Sequence, residues 1–483
     1  MAAAEKPFRV IIVGGGLVAL TAAHILAKTE IDFVILEQHD NLLPEIGSLL
    51  NIWPPTFRIL DQLGILDAIQ PVLNNVNRGI AMSADDAAVF TDLSPDDIIK
   101  KNHGYGIKVT HRPRYIEALY QNLPDHAKAR IKLRKRVVNV KVSDDGASVE
   151  CDDGTVVQGS IVIGCDGVRS RVRECMQAMA AGKPVPDRST SPKSPYTTTY
   201  RMLFANVPIP PGLDTNTNFE CASERVSTQL LTGDSQAWAG IYDALDEPTS
   251  IHTRYTSADK EKVLEKWGHL YIAPGWKVRD VFATHIGDMG LINLEEGRVD
   301  KWSWKRIVLV SDAVRKLEPH AGLGYNSGVA DVVVLINKLR RLLQTEPSPT
   351  TKSLEAVFAS YQKDRMRDET GIHTMSARRA RMTGWLTPMN RIMFKYIGPW
   401  IYLAQYSLRY IYAPIVSRVP VLEWVEEKSL PPNPRVPYMH HPILEGTKGK
   451  KLSKRGSSGL PIYTGAIVLA AFAAVGFQYY RRI

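Results

Sequence analysis

A β-branched run, Phe8 to Val13 (FRVIIV), leads directly into Gly14-Gly15-Gly16, and nothing else in the 483 residues limits the fold as much. Residues 17–28 have helical composition, and Asp32 to Glu37 (DFVILE) is a second apolar run. Strand, glycine turn, helix and strand within about 30 residues make the βαβ unit of a parallel sheet covered by helices. Gly14 makes the turn after the strand. Gly16 has no side chain, so a pyrophosphate can reach the backbone, and Ala19 still permits close helix packing where a third glycine often sits. The helix N-terminus turns its free N–H groups and positive dipole toward the phosphates. Glu37, at the end of the second strand, accepts hydrogen bonds from ribose hydroxyls and repels a 2′-phosphate, which disfavours NADP here. The unit predicts a bound dinucleotide and leaves FAD and NAD both open.

The rest of the chain fits around such a domain. Residues 56–70 read as an amphipathic helix. Ile131 to Gly164 alternates in short runs, with Asp144-Asp145-Gly146 and Asp152-Asp153-Gly154 as turns, and ends in a buried strand, Ile161 to Gly164. Residues 183–195 predict a loop, and Tyr196 to about Leu245 a set of strands. Ser257 to Leu270 predicts a helix, Arg306 to Val310 a buried strand, and Gly328 to Leu343 a strong helix. A polar linker, Gln344 to Ser353, precedes a charged helical stretch over 354–383.

Four cysteines without a CxxC pair exclude a disulfide scaffold and a thiolate zinc site, and no metal is expected. The net charge of +10 is partly local, in Lys448, Lys450, Lys451, Lys454 and Arg455, and in Arg378, Arg379 and Arg381. No nucleic-acid module accompanies it, so it reads as solvated faces and membrane flanks, with no nucleic-acid partner. The leader MAAAEK has no apolar core, so no signal peptide is expected. Leu460 to Tyr480 has no charged residue over about 20 positions, the hydrocarbon thickness of a bilayer. Tyr463, Tyr479 and Tyr480 mark its ends. Five basic residues before it, against Arg481 and Arg482 after, predict a single-pass anchor with the upstream domain in the cytosol. Residues 386–413, interrupted by charges and Pro399, lie on a membrane surface or pack on the domain.

Two more turns carry chemistry. Gly164-Cys165-Asp166-Gly167 follows a buried strand and in isolation is an ordinary Asp-Gly turn. Ser311-Asp312-Ala313 follows the strand IVLV and is succeeded by Pro319-His320-Ala321-Gly322-Leu323-Gly324-Tyr325-Asn326 and a helix. Asp312 is placed to bind a polyol hydroxyl, and the helix start near Tyr325 favours negative charge such as a reduced flavin carries. The three turns, in this order, resemble the group A flavoprotein monooxygenases, the family of p-hydroxybenzoate hydroxylase, over residues 8–385. The family's third motif begins Gly-Asp, with a histidine three residues after the Asp; Ser311 and Arg315 stand there instead. That departure, the stretch RKLEPHAGLGYN, the length and the apolar C-terminus are similar to the fungal FAD-dependent epoxidases of meroterpenoid and indole-diterpene biosynthesis.

The resemblance implies an α/β chain: a Rossmann-like FAD-binding fold with an inserted substrate-binding β-sheet domain and a C-terminal membrane helix. The expected boundaries are 1–180 and 301–345 for the FAD domain, 181–300 for the inserted sheet, 346–440 for a helical region, 441–459 for a basic linker and 460–480 for the membrane helix. It implies an FAD set of Gly14, Gly16, Glu37, Gly47 (in PEIGSLLNIW), Arg112 (in THRPRYIEAL), Asp166, Asp312, Gly322, Gly324 and Tyr325. Tyr200 and Arg201 on the first strand of the inserted sheet, and Tyr242 on a later one, are the candidates to face the flavin and hydrogen-bond substrate; the alternative is a sheet residue without a catalytic part. His320 reads as a loop histidine rather than a general base.

The implied reaction uses NADPH or NADH as a transient reductant, since no second nucleotide fold is visible, and a flavin C4a-hydroperoxide that epoxidises a prenyl-chain alkene without a strong base. Hydroxylation of an aromatic or indole ring is the alternative within that chemistry; a non-catalytic, membrane-tethered dinucleotide-binding protein is the alternative from another class. The implied partners are a prenylated small molecule and the membrane, most simply that of the endoplasmic reticulum, with a membrane terpene cyclase as functional neighbour.

Overall fold

The structure is a computed structural model of the chain and describes residues 7–43, 47, 49–187, 193–399, 406–429 and 434–443. The strand Arg9–Val13 lies inside a six-stranded sheet, with Val10 to Val13 buried, as a parallel strand with both faces covered must be. The order across the sheet is Ser303–Trp304, Ile307–Leu309, Ile161–Gly164, Arg9–Val13, Asp32–Leu36 and Ile131–Lys132. Every pairing is parallel except that of Ser303–Trp304. Register sets Val13 beside Gly164 and Gly164 beside Leu309. The three motif turns therefore leave the carboxyl ends of three neighbouring strands, where open α/β sheets bind ligands. The helix Leu17–Leu26 is buried along its whole length, packed against the helix Gly324–Thr345. That helix starts four residues before the sequence places it. The helix expected over 56–70 is two, because Pro54–Leu63 ends at Gly64, whose φ of +74° closes the turn, and Leu66–Ile69 follows.

The second sheet has eight strands, in the order Arg315–Lys316, Ile286–Arg298, Lys193–Val207, Ala237–Ile251, Val226–Thr232, Thr217–Ser223, Arg78–Ser83 and Val89–Leu93. This amends the boundaries drawn from sequence. The hairpin 78–93 belongs to the inserted sheet, through the parallel pairing of Arg78–Ser83 with Thr217–Ser223. Arg315–Lys316 closes the opposite edge. Along Lys193–Val207, Leu203 and Val207 face a core shared with Val263, Val278 and Phe282 of the covering helices. Successive side chains alternate faces, so Met202 and Phe204 point the other way, into a cavity they share with Gly16 and Asp312 of the six-stranded sheet's turns.

The long helix Thr351–Thr383 follows. Beyond it, Phe394 is buried against Trp385 and Ala222, while Met389, Ile392, Tyr396, Tyr410 and Ile411 are exposed. Residues 421–429 and 434–442 then strap back over the helix Pro54–Leu63. Arg58, fully buried, donates to both carboxylate oxygens of Glu427 (2.5 and 2.8 Å) and lies 3.9 Å over the Tyr438 ring. Gln62 bonds to the backbone of Leu422 and Val425, and Asp61 accepts the N–H groups of Lys428 and Ser429. The expected membrane helix, Leu460 to Tyr480, lies outside the described residues. Among those described, no helix is long and apolar enough to cross a membrane.

Candidate active site

The glycines of the first turn do different jobs. Gly14 sits at φ +99°, and a Cβ there would stand 2.6 Å from the Cys165 carbonyl oxygen, so it sets how closely the first two motif turns approach. At Gly16 and at Gly324 a Cβ would meet nothing within 4 Å. Both glycines begin helices of ten residues or more and line one cavity. Glu37 accepts the N–H of Gly15 at 2.6 Å and that of His39 at 2.9 Å, tying the second strand to the glycine turn. Asp166 accepts the Val172 N–H at 3.1 Å, and burial pushes its carboxyl above the ordinary value. Gly14, Glu37 and Asp166 thus shape the turns without lining the cavity.

In the third turn, Ser311 has φ +57° where the family's pattern has glycine. Its N–H donates to Asp331 at 2.8 Å. Asp331 is fully buried between Arg315 (2.8 Å) and Arg365 (2.7 Å). Arg315, at the place of the family's histidine, belongs to a buried ion triad. Asp312 lines the cavity with Lys316 donating to it at 2.7 Å. Asn326 staples this turn to the segment before helix Pro54–Leu63. Its Oδ1 accepts from the Trp53 N–H (2.9 Å) and the Thr56 hydroxyl (2.7 Å), and its Nδ2 donates to the carbonyls of Asn51 and Gly322 (2.9 Å each). Gly322, at φ +62°, presses on Asn51 so closely that no Cβ fits. The Tyr325 hydroxyl turns back to Thr21 (3.0 Å) and Tyr115 (3.3 Å). Gly47 abuts the Pro113 ring, where a Cβ would lie 2.2 Å from Cδ, and Arg112 heads the helix Arg112–Gln121.

One cavity gathers Gly16, Gly47, Arg112, Asp312, Gly322, Gly324 and Tyr325 on one side. Met202, Phe204, Leu231, Trp238 and Tyr242 of the inserted sheet form the other. Two helix N-termini, bare glycine backbone and basic groups on one wall fit a dinucleotide with a pyrophosphate.

Of the three catalytic candidates, only Tyr242 lines this cavity. Its hydroxyl donates to Gln229 at 2.9 Å, and burial pushes its phenol far above the ordinary value. Tyr200 is buried behind it, donating to the Ala380 carbonyl at 3.1 Å. Arg201 is a correction: it leaves the opposite face of the strand and donates to Asp243 at 2.8 and 2.9 Å, with Lys266 on the other oxygen at 3.3 Å. Neighbours on a strand point to opposite faces, so Tyr200 and Arg201 never shared a wall.

His320, read as a loop residue, lines the cavity instead. Its Nδ1 lies 2.6 Å from Glu318 Oε1, and both side chains are almost wholly buried. Its ring lies on that of Tyr242, with centroids 3.9 Å apart. The signal available in the sequence was the Glu-Pro-His triplet, which puts an acid two residues before a histidine in a proline turn.

Comparison with known proteins agrees with this geometry. Residues 8–189 and 276–367 match the FAD binding domain family; the gap falls in the inserted sheet. An FAD-dependent monooxygenase of Neurospora crassa, srdH, is 32% identical over 395 residues, 79% of this chain and 88% of that protein. Another from Penicillium brasilianum, ausM, is 30% identical over 404 residues, covering 82% and 84%. Klebsiella pneumoniae HpxO, solved with FAD and uric acid, shares the fold at a TM-score of 0.64 and 17% identity, over 85% of this chain and 96% of that one. So does a salicylate hydroxylase in complex with substrate, at 0.62 and 16%, over 89% and 100%. FAD is therefore the cofactor, and the chain belongs to the FAD-dependent monooxygenases.

Proposed function

We propose that this monooxygenase epoxidises an alkene of a prenylated small molecule in the cavity between the FAD-binding turns and the inserted sheet. The observation that carries the reading is the division of the cavity. Its sheet side presents Met202, Phe204, Leu231, Trp238 and Ala239, and the charged side chains Arg112, Asp312 and Lys316 stand on the cofactor side. An apolar chain loses nothing by leaving water for such a wall, whereas a charged substrate does.

Bound FAD, reduced by NADPH or NADH, supplies the activation of O₂. The backbone at Gly16 and the start of the helix at Gly324 would hold its anionic groups, Asp312 its polyol, and Glu37 its ribose, with Gly47 and Arg112 alongside. Met202 and Phe204 orient the alkene and exclude water. Tyr242, whose burial keeps its phenol protonated, remains a hydrogen-bond donor. Hydroxylation of an aromatic or indole ring is the second reading, favoured by the Glu318–His320 pair, because ring hydroxylation gains from a base. Leu460 to Tyr480 is the proposed tether, which keeps the enzyme where a prenylated substrate concentrates; a membrane terpene cyclase is the chemical successor of an epoxide.

The deciding experiment supplies ¹⁸O₂, NADPH and a prenylated aromatic to the FAD-loaded enzyme and locates the label by mass spectrometry. One labelled oxygen on the chain as an epoxide is expected. Label on the ring overturns epoxidation in favour of hydroxylation.

A further inference from the structure

The apolar wall of the cavity carries Asn206 and, apart from it, a polar cluster of His320, Tyr242 and Gln229. Glu318 stands behind His320, and their side chains are only 2% and 3% exposed. Glu318 Oε2 accepts the His320 backbone N–H at 2.9 Å, and Oε1 lies 2.6 Å from the ring Nδ1. A carboxylate at that nitrogen fixes Nδ1 as the donor, so the tautomer that can accept a proton carries its lone pair on Nε2. The nearest partner of Nε2 is the Ser227 hydroxyl at 3.4 Å, the long limit of a hydrogen bond. A buried carboxylate is costly to keep; one oxygen of Glu318 caps the short Pro319–Ala321 turn that ends at Gly322, and the other is given to the His320 ring. What the arrangement offers is a basic nitrogen in a substrate wall, with a fixed anion behind it.

We propose that Glu318–His320 is an acid–base pair that takes the proton of an acidic hydroxyl on the ring head of the substrate. The substrate class is then a prenylated phenol or enol rather than a prenylated ether or hydrocarbon. The substrate O–H bond breaks, its electron pair stays on oxygen, and the proton bonds to His320 Nε2. The imidazolium so formed is held by the Glu318 carboxylate, and no oxidant or reductant takes part. His320 is the group that touches substrate; Glu318 positions it. The surrounding groups leave the task to His320. Tyr242 and Tyr200 from the sheet are kept as phenols by burial. Arg381, on the helix Thr351–Thr383, is committed to Glu296 at 2.6 Å, and Lys316 to Asp312 at 2.7 Å. The proposal rests on the reading that substrate enters this cavity, and not on which carbon receives oxygen.

The test uses the full chain loaded with FAD and two probes, 2-geranyl-4-nitrophenol, whose anion absorbs in the visible, and its methyl ether. The phenol is expected to bind roughly ten- to a hundredfold more tightly than the ether, as one charge-assisted hydrogen bond provides. Its bound form is expected to ionise at least about one pH unit below the free form. His320→Gln and Glu318→Gln should each erase the preference and the spectral shift while leaving FAD content and ether binding in place. If His320→Gln loses flavin, Glu318→Gln carries the test. Equal binding of phenol and ether to the unaltered enzyme, or a preference and shift that survive both substitutions, overturns the acid–base pair alone. Failure of both probes to bind overturns the cavity reading and the proposal with it.

Discussion

The backbone N–H of Ser311 donates to Asp331 Oδ2 at 2.8 Å, and this bond holds a non-glycine residue at φ +57° in the third motif turn. The left-handed region costs such a residue about 1–2 kcal/mol. The carboxylate that offsets it is itself buried, between Arg315 and Arg365. Turn geometry, two buried cations and the helix Gly324–Thr345, which carries Asp331, are therefore one unit.

Asp331→Ala leaves two guanidinium groups without their shared anion. The expected loss is about 3–5 kcal/mol of unfolding free energy, the usual cost of removing one partner of a buried ion pair, together with loss of FAD. Ser311→Gly removes the left-handed strain at the cost of a more flexible unfolded chain, so its stability should stay within about 1 kcal/mol of the parent. Denaturant melts of the two variants check both; a harmless Asp331→Ala would show that the triad does not hold the turn.

Glu37→Ala should release FAD. The carboxylate fixes the Gly15 N–H in the first glycine turn, and on the proposed reading it also accepts from the ribose. One charged hydrogen bond is worth about 1.5–3 kcal/mol, or one to two decades in affinity. Fluorescence titration of the apoprotein with FAD measures this. An unchanged dissociation constant would remove Glu37 from the cofactor set.

Much of this was legible in the sequence, and the misses have physical causes. The βαβ unit and the three turns are local signals, written in consecutive residues, and the sheet order brings them to one crevice. Arg201 was misassigned because its chemistry was weighed without its parity; the period-2 rule that puts Met202 and Phe204 in the cavity sends Arg201 to Asp243. The hairpin 78–93 was missed because it joins the inserted sheet beside Thr217–Ser223, a pairing over more than a hundred residues that no local pattern encodes. The roles of Asn326 and the Glu318–His320 pair were only partly legible, for a related reason. Their meaning lies in what the fold sets against them, Trp53 and Thr56 in one case and Tyr242 in the other.

Acid should destabilise the enzyme through buried histidines. His103 is buried, and desolvation holds its imidazole at about 4, against about 6.5 in an unfolded chain. Between those values the unfolded chain binds a proton that the folded one does not. This contribution is therefore complete above the unfolded value and is lost as pH falls toward 4, by about 3 kcal/mol in all. Burial lowers His24 and His111 as well, and they act in the same direction. Relative to the parent, His103→Leu should gain about 3 kcal/mol between pH 7 and pH 4, read from paired denaturant melts. A constant difference across that range would rule out a neutral buried His103.

The described part of the C-terminal region holds partners that the fold needs. Arg58, on the helix that follows the Asn51–Trp53 segment stapled by Asn326, has its charge compensated by Glu427, 369 residues along the chain. Gln62 and Asp61 of the same helix are satisfied by the backbone of residues 422–429. Truncation before Val421 therefore strands a buried guanidinium and several polar groups, at about 3–5 kcal/mol for the ion pair alone. It should yield aggregated, flavin-free protein. Deletion of residues 456–483 removes none of these partners and should leave the FAD spectrum, the melting temperature and turnover on detergent-dispersed substrate unchanged. If Leu460 to Tyr480 is the tether, that deletion also moves the protein from the membrane pellet to the supernatant. A deletion variant that stays yellow and stays in the pellet refutes the anchor, and one that unfolds makes the same segment part of the core.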